Sequence, residues 1–292
     1  MDDVQSAWVL LNMSAVPRSN HLVRILPPTT SQDYSTAHDT AIWNCFCNIL
    51  GAGALRDDLL AKRIASLPGR LGGLGLRSAS RTAAGAYWAS WATSFPIIRA
   101  KAPPVAAAML RELQSAAGPA ALVLRELLSS RQQLEHQGAL DLPDWKDMAK
   151  GVEPPVSDKQ HADGADFAHG WQHYACSFSE THFFEQEVAP NCDDARRAML
   201  FSQAGGAAGA FLRAIPSETS YTMSSLCFQW QCAADYGGPY HSQAADAAIT
   251  AHVFWTLWGT MRLRAPRAGN SNPGRSHWSA FGSGFAVRQV PV

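Results

Sequence analysis

Apolar residues recur along this chain at intervals of three and four, the spacing that gathers them on one face of an α-helix. No run alternates in the way a half-buried strand does. Val4 to Ala15 reads as a first apolar helix that stops near Pro17. Leu26-Pro27-Pro28 breaks the chain. Ser31 is placed to cap the next helix, because its hydroxyl can accept from an unpaired first-turn N–H. There Ile42, Cys45, Phe46, Ile49 and Leu50 are expected to form one buried stripe, and Gly51 to end the helix. Leu55 to Leu67 reads as a short helix closed by Pro68, and Gly69 to Leu76 as a turn-rich hinge. Ser78 or Ser80 then caps a helix carrying Ala83, Ala84, Tyr87, Trp88 and Trp91. Pro96 and the pair Pro103-Pro104 delimit the next elements, around Val105 to Ala116 and Ala120 to Gln137.

The pattern changes near Asp141, where Pro, Asp, Lys and Gly replace the apolar repeats. Residues 141–165 are expected to be a linker between a helical domain over 1–140 and a second helical block over 166–236. That block has helical stretches near Asp166 to Glu187, Asp193 to Ala214 and Ser224 to Ala234. Residues 237–292 read as a divergent, partly disordered tail, with Ala247 to Met261 apolar inside it. The expected class is all-α, an irregular multi-helix array with a loosely ordered C-terminal tail.

Composition adds two constraints. A hydrophobic fraction of 47% against 16% charged residues allows a packed core. Lys and Arg total 24 and so do Asp and Glu, so no global basic excess points to nucleic acid, and any such contact must come from a local basic surface. Six cysteines in 292 residues are too sparse for a disulfide framework, and the acidic N-terminus lacks the layout of a signal peptide. An intracellular location, nuclear or cytoplasmic, is the expectation. Ala247 to Met261 is too short for a usual span and contains His252, so no membrane contact is expected.

Few residues suggest chemistry. Cys192-Asp193-Asp194 has the adjacent aspartates of a polymerase metal site, but the helix-forming run Ala195 to Leu200 follows it. Side-chain capping of a helix start explains it better, and the same holds for Asp57-Asp58. His169, His173 and Cys176 share a helical face and are legitimate zinc ligands, but a fourth would have to be His182 or something distant, and no Glu follows His169 as in a metalloprotease motif. They are therefore read as packing residues beside Trp171 and Tyr174, and no cofactor is expected. Trp88 and Trp91 could stack on bases but stand at core spacing. Gly72, Gly73 and Gly75 follow a helix and lack the Lys-Ser/Thr ending of a nucleotide-binding loop. Their N–H groups, with Arg70, Arg77 and Arg81 around them, could still contact phosphates.

Several stretches, taken in order, resemble one family: the region after the palm of non-LTR retrotransposon reverse transcriptases. They are Val4-Gln5-Ser6-Ala7-Trp8, then Pro17 to Arg24 with Leu26-Pro27-Pro28, then Ala37-His38-Asp39 ahead of Trp43. Leu67-Pro68-Gly69-Arg70-Leu71-Gly72-Gly73-Leu74-Gly75-Leu76 follows, continuing through Ala79 to Ala86-Tyr87-Trp88-Ala89-Ser90-Trp91. Last come His169-Gly170-Trp171-Gln172, Ser202-Gln203-Ala204-Gly205 and Ala210 to Pro216. The resemblance covers about residues 3 to 230 and implies a helical region that guides template and primer. It also implies an aromatic-x-Asp-Asp palm before residue 1, and an Arg-rich helix, a Cys/His cluster and an endonuclease after Gln229. The chain instead reads Trp230 to Gly238, and residues 237 to 292 look unrelated.

The resulting expectation is a non-catalytic remnant that binds RNA or DNA backbone weakly and without base readout. The alternative is a helical scaffold for a protein partner. No small-molecule substrate is evident from the sequence.

Overall fold

One long helix organises the molecule. The computed structural model describes residues 3–51, 53–155, 170–204, 212, 215 and 222–234, and every element among them is helical, so the fold is all-α. Eleven α-helices lie among these residues: α1 (Val4–Leu10), α2 (Ser19–Ile25), α3 (Pro28–Leu50), α4 (Leu59–Ala65), α5 (Ala79–Lys101), α6 (Pro103–Leu113), α7 (Leu122–His136), α8 (Trp145–Lys150), α9 (Trp171–Phe183), α10 (Asp194–Gln203) and α11 (Ser225–Ala234). Helix α5 packs against α2, α3, α6, α7, α8 and α9, and α1 against α3 and α11.

Helix starts follow the expected capping chemistry where the signal is local. Asp58 caps α4 by accepting from the Ala61 N–H at 2.9 Å, and Asp193 caps α10 from Arg196 N–H at 2.7 Å. Of the two serines offered for α5, Ser78 is the cap, accepting from Arg81 N–H at 3.2 Å. Gly51 ends α3 in the left-handed region, φ 63°.

Four expectations need correction. Ser31 is not a cap: α3 starts earlier, at Pro28, whose fixed φ suits a first helical position, and Ser31 is buried inside the helix. Pro17 does not stop the first helix, because the chain widens through a π turn (Leu11–Ala15) and then tightens through a 3-10 turn (Val16–Arg18) into α2. Pro96 lies inside α5, which runs on to Lys101 with Phe95 fully buried against the core. The stripe of α3 is rotated: Ile42, Trp43, Phe46, Cys47 and Leu50 are buried and Cys45 is exposed. Trp43 sets that rotation, since its indole N–H donates to the Arg56 carbonyl at 3.1 Å.

The largest core lies around α5 from Tyr87 onward. Trp88, Phe95, Leu127, Leu134, Trp145, Met148 and Trp171 belong to it. Trp88 and Trp171 meet edge to face at 5.4 Å between ring centroids, and each fully buried ring contributes on the order of 2–3 kcal/mol. Leu142, Trp145 and Met148, expected in a linker, are therefore core residues, and residues 156–165 lie outside the described residues. The same core joins α5 to α9, so the described parts of the 1–140 and 166–236 segments share one interior and belong to one compact unit. The tail over 237–292 lies outside the described residues.

Candidate nucleic-acid interface

The first half of α5 meets its neighbours differently. Its contact with α2 and α9 is made by small side chains, Val23, Ala79, Ala83, Ala86 and Cys176. Gly85 sits so close to α9 that a Cβ there would stand 3.2 Å from Cys176 N and Sγ. Around this narrow contact polar groups gather. Asp39 of α3 receives four hydrogen bonds from the start of α5: Ser78 Oγ at 2.7 Å, Ala79 N–H at 2.7 Å, Ser80 Oγ at 2.7 Å and Ser80 N–H at 3.2 Å. Arg81 donates to Glu180 Oε2 through Nε at 2.9 Å and Nη2 at 2.7 Å, to Ser66 O and Oγ, and lies over the Phe183 ring at 4.2 Å.

Glu180 is buried, with its other oxygen, Oε1, unpartnered. Burial pushes its carboxyl above the usual glutamate range, against the pull of Arg81, Arg77 and Arg70. Three arginines thus surround one carboxylate. Arg70 donates to Ser177 O at 3.2 Å and reaches Thr181 Oγ1, while the Arg77 side chain is exposed and makes no hydrogen bond or salt bridge among the described residues.

These groups border a cavity of about 400 Å³ between α3, α4 and the turn into α5. Lys62, Arg63, Arg77 and Arg81 line it, and Asp39 is the carboxylate in its wall. Arg63 is paired with Glu187 at 2.9 Å and Arg81 with Glu180, whereas Lys62 and Arg77 remain uncommitted among the described residues. Lys62, Arg63, Asp39 and Glu180 escape sequence reasoning as a group because they come from three helices far apart in the chain. The one hint is that Asp39 falls within Ala37-His38-Asp39.

The glycines have a different part from the one expected. The N–H groups of Gly72, Gly73 and Gly75 donate to Gly69 O (3.0 Å), Pro68 O (3.3 Å) and Leu67 O (2.8 Å), so they are used within the turn and do not point at a ligand. A Cβ on Gly73 would meet Leu67 O at 2.2 Å, and one on Gly72 would meet Leu200 O at 2.4 Å. These glycines let α4, the turn and α10 approach closely.

The zinc group does not assemble among the described residues. His169 lies outside them, His173 is exposed, and Cys176 is buried with its Sγ donating to Thr82 O at 3.7 Å. Burial pushes the Cys176 thiol up to about 12, which disfavours the thiolate that zinc needs. No cluster of three or more His, Cys, Asp or Glu that could hold a metal occurs among the described residues. Of the two tryptophans considered for stacking, Trp88 is fully buried in the core and Trp91 is half-buried against it, edge to face with the buried Tyr87, whose hydroxyl donates to Val123 O at 3.1 Å. None of the six cysteines is joined in a disulfide, and among the described residues no helix is long and apolar enough to cross a membrane.

The stretches singled out in the sequence meet in space. Trp8 Nε1 donates to Leu212 O at 2.9 Å, Arg24 to Gln172 Oε1 at 2.5 Å, Asn12 to Leu74 O at 3.3 Å, and Asp39 caps Ser78 to Ser80. No protein-family model, curated protein or solved structure matches the chain.

Proposed function

We propose that this chain is a non-catalytic helical module, similar to the region after the palm of a non-LTR reverse transcriptase, that holds RNA or DNA by its backbone without reading bases. The observation that carries this reading is the charge around the cavity. Four cations line its wall against one carboxylate, in a chain whose total charge is zero. Asp39 turns its oxygens to the start of α5, while Lys62 and Arg77 make no salt bridge among the described residues and Arg77 acts on the buried Glu180 only at longer range. Such cations neutralise phosphates and position a strand, and they carry no sequence information. The mutual hydrogen bonding of the family-like stretches supports treating them as one inherited unit.

The test is a fluorescence-anisotropy titration of the full chain with labelled oligonucleotides at 50 and 200 mM salt. About three phosphate contacts should cost roughly one to two orders of magnitude in affinity over that range. Replacing Lys62, Arg70 and Arg77 by Ala should flatten the salt dependence while helical content holds. Arg81 stays intact, because it is bonded to Glu180 in the interior. Absence of binding at 50 mM, or an unchanged slope in the triple variant, would sink the proposal. A protein-partner role is the second reading, favoured by Ile97 and Val105, which stand exposed on either side of the α5–α6 turn.

A further inference from the structure

Two chemistries line the cavity. Lys62 and Arg77 supply uncommitted positive charge, while Ile42, Trp43, Leu59, Leu76 and Phe183 supply apolar and aromatic surface. A third group, Gln32 and Thr36, stands two turns and one turn before Asp39 on α3, with Gln32 Nε2 donating to Thr36 Oγ1 at 3.3 Å. Gln32, Thr36, Asp39 and Trp43 are three or four residues apart, so the cavity follows one face of α3 for roughly 16 Å at 1.5 Å per residue.

We infer that this cavity binds a nucleotide, with phosphate held by Lys62 and Arg77, the base against the apolar wall, and Gln32 and Thr36 bonding the base edge. The inference rests on the nucleic-acid reading above and narrows it from a surface to a pocket. A volume of about 400 Å³ falls within the range of small-molecule sites. Inorganic phosphate alone leaves the apolar wall without a use, and an apolar ligand leaves the two cations unpaired. A phosphotyrosine side chain matches the charge and the ring, but its ring edge has nothing for a carboxamide to bond. A base edge presents donors and acceptors together, and a glutamine side chain is equipped to meet both. The nucleotide comes either free from solution or as the phosphorylated end of a strand.

The experiment uses the full chain. Calorimetric titration with adenosine 5′-monophosphate, adenosine, inorganic phosphate and phosphotyrosine is paired with anisotropy on one oligonucleotide with and without a 5′-phosphate. The nucleotide should bind at least tenfold more tightly than each of the other three. A fivefold preference for the 5′-phosphorylated oligonucleotide identifies a strand end as the source, and its absence, with the nucleotide still bound, identifies the free molecule. Thr36→Trp, at an exposed position on α3, fills the cavity and should weaken nucleotide binding at least tenfold while helical content holds. Leu59→Trp, also exposed, serves the same purpose should the first variant lose helical content. Binding no tighter than phosphate or adenosine, tighter binding of phosphotyrosine, or indifference to the filling variants would overturn the inference. Oligonucleotide binding with its salt slope but no nucleotide binding overturns this inference alone. Nucleotide binding without any oligonucleotide binding overturns the backbone reading alone.

Discussion

From Trp88 onward α5 is held by rings and aliphatic chains: its own Trp88 and Phe95 pack with Leu127, Trp145 and Trp171, and the indole N–H of Trp88 has no partner among the described residues. At its N-terminal half it is held by small residues and directed bonds, from Asp39 to Ser78 and Ser80 and from Arg81 to Glu180. The apolar half is stabilised by area removed from water, which tolerates approximate geometry. The polar half works only if each partner is in place, since an unpaired buried charge costs several kcal/mol. Cationic side chains at the polar half line a cavity, so that half is where the proposed binding and the fold's stability would draw on the same residues.

The largest effect that would test this contrast is Trp88→Ala. It removes a fully buried ring and no side-chain hydrogen bond, so it should cost about 3–5 kcal/mol, measured by urea denaturation, with little dependence on pH or salt. A pH-dependent loss would mean that the two halves are not separable.

Arg81→Met sharpens the other side. Burial already raises the Glu180 carboxyl, so the folded chain keeps that proton to higher pH than the unfolded chain does. The group's contribution is therefore present below the ordinary glutamate value and is lost as pH rises through the raised folded value. Removing Arg81 raises Glu180 further. The variant should lose about 3 kcal/mol at pH 7, moderated by Arg70 and Arg77, and recover part of it as the pH falls to 5. The double change Arg81→Met with Glu180→Leu should regain most of the stability. A single variant equally destabilised at both pH values would show that Arg81 acts through packing on Phe183 instead.

The same contrast explains what the sequence could disclose. Caps at Asp58, Ser78 and Asp193 were legible because they depend on residues three positions apart. The helical class was legible because period 3.6 repeats along the chain. The α8 segment was not, because its Pro, Asp and Lys content hides Leu142, Trp145 and Met148 at a spacing of three. The face of α3 was misread by part of a turn, since the Arg56 carbonyl that fixes Trp43 lies beyond the helix. Arg70, Arg77 and Arg81 were visible as a cluster of charge, but not the division among them. Arg81 is committed to Glu180, 99 positions away, and Arg77 is left exposed.

The smallest predicted effect is the most informative about that division. Asp39→Asn keeps the side-chain shape but removes the charge and turns one acceptor oxygen into a donor facing the Ser78, Ala79 and Ser80 donors. Hydrogen bonds to a charged acceptor are lost, so stability should fall by about 1–2 kcal/mol, read from the urea midpoint. Asp39 is also the carboxylate in the cavity wall, and without it Lys62 and Arg77 face an anion with less opposing charge. Affinity for an oligonucleotide at 50 mM salt should therefore rise, by roughly twofold to fivefold, and the gain should vanish by 200 mM as screening shortens the reach of each charge. Binding that falls in step with stability would show that Asp39 shapes the cavity more than it opposes the ligand. A rise in affinity with a fall in stability would show that one carboxylate serves the fold at the expense of the surface.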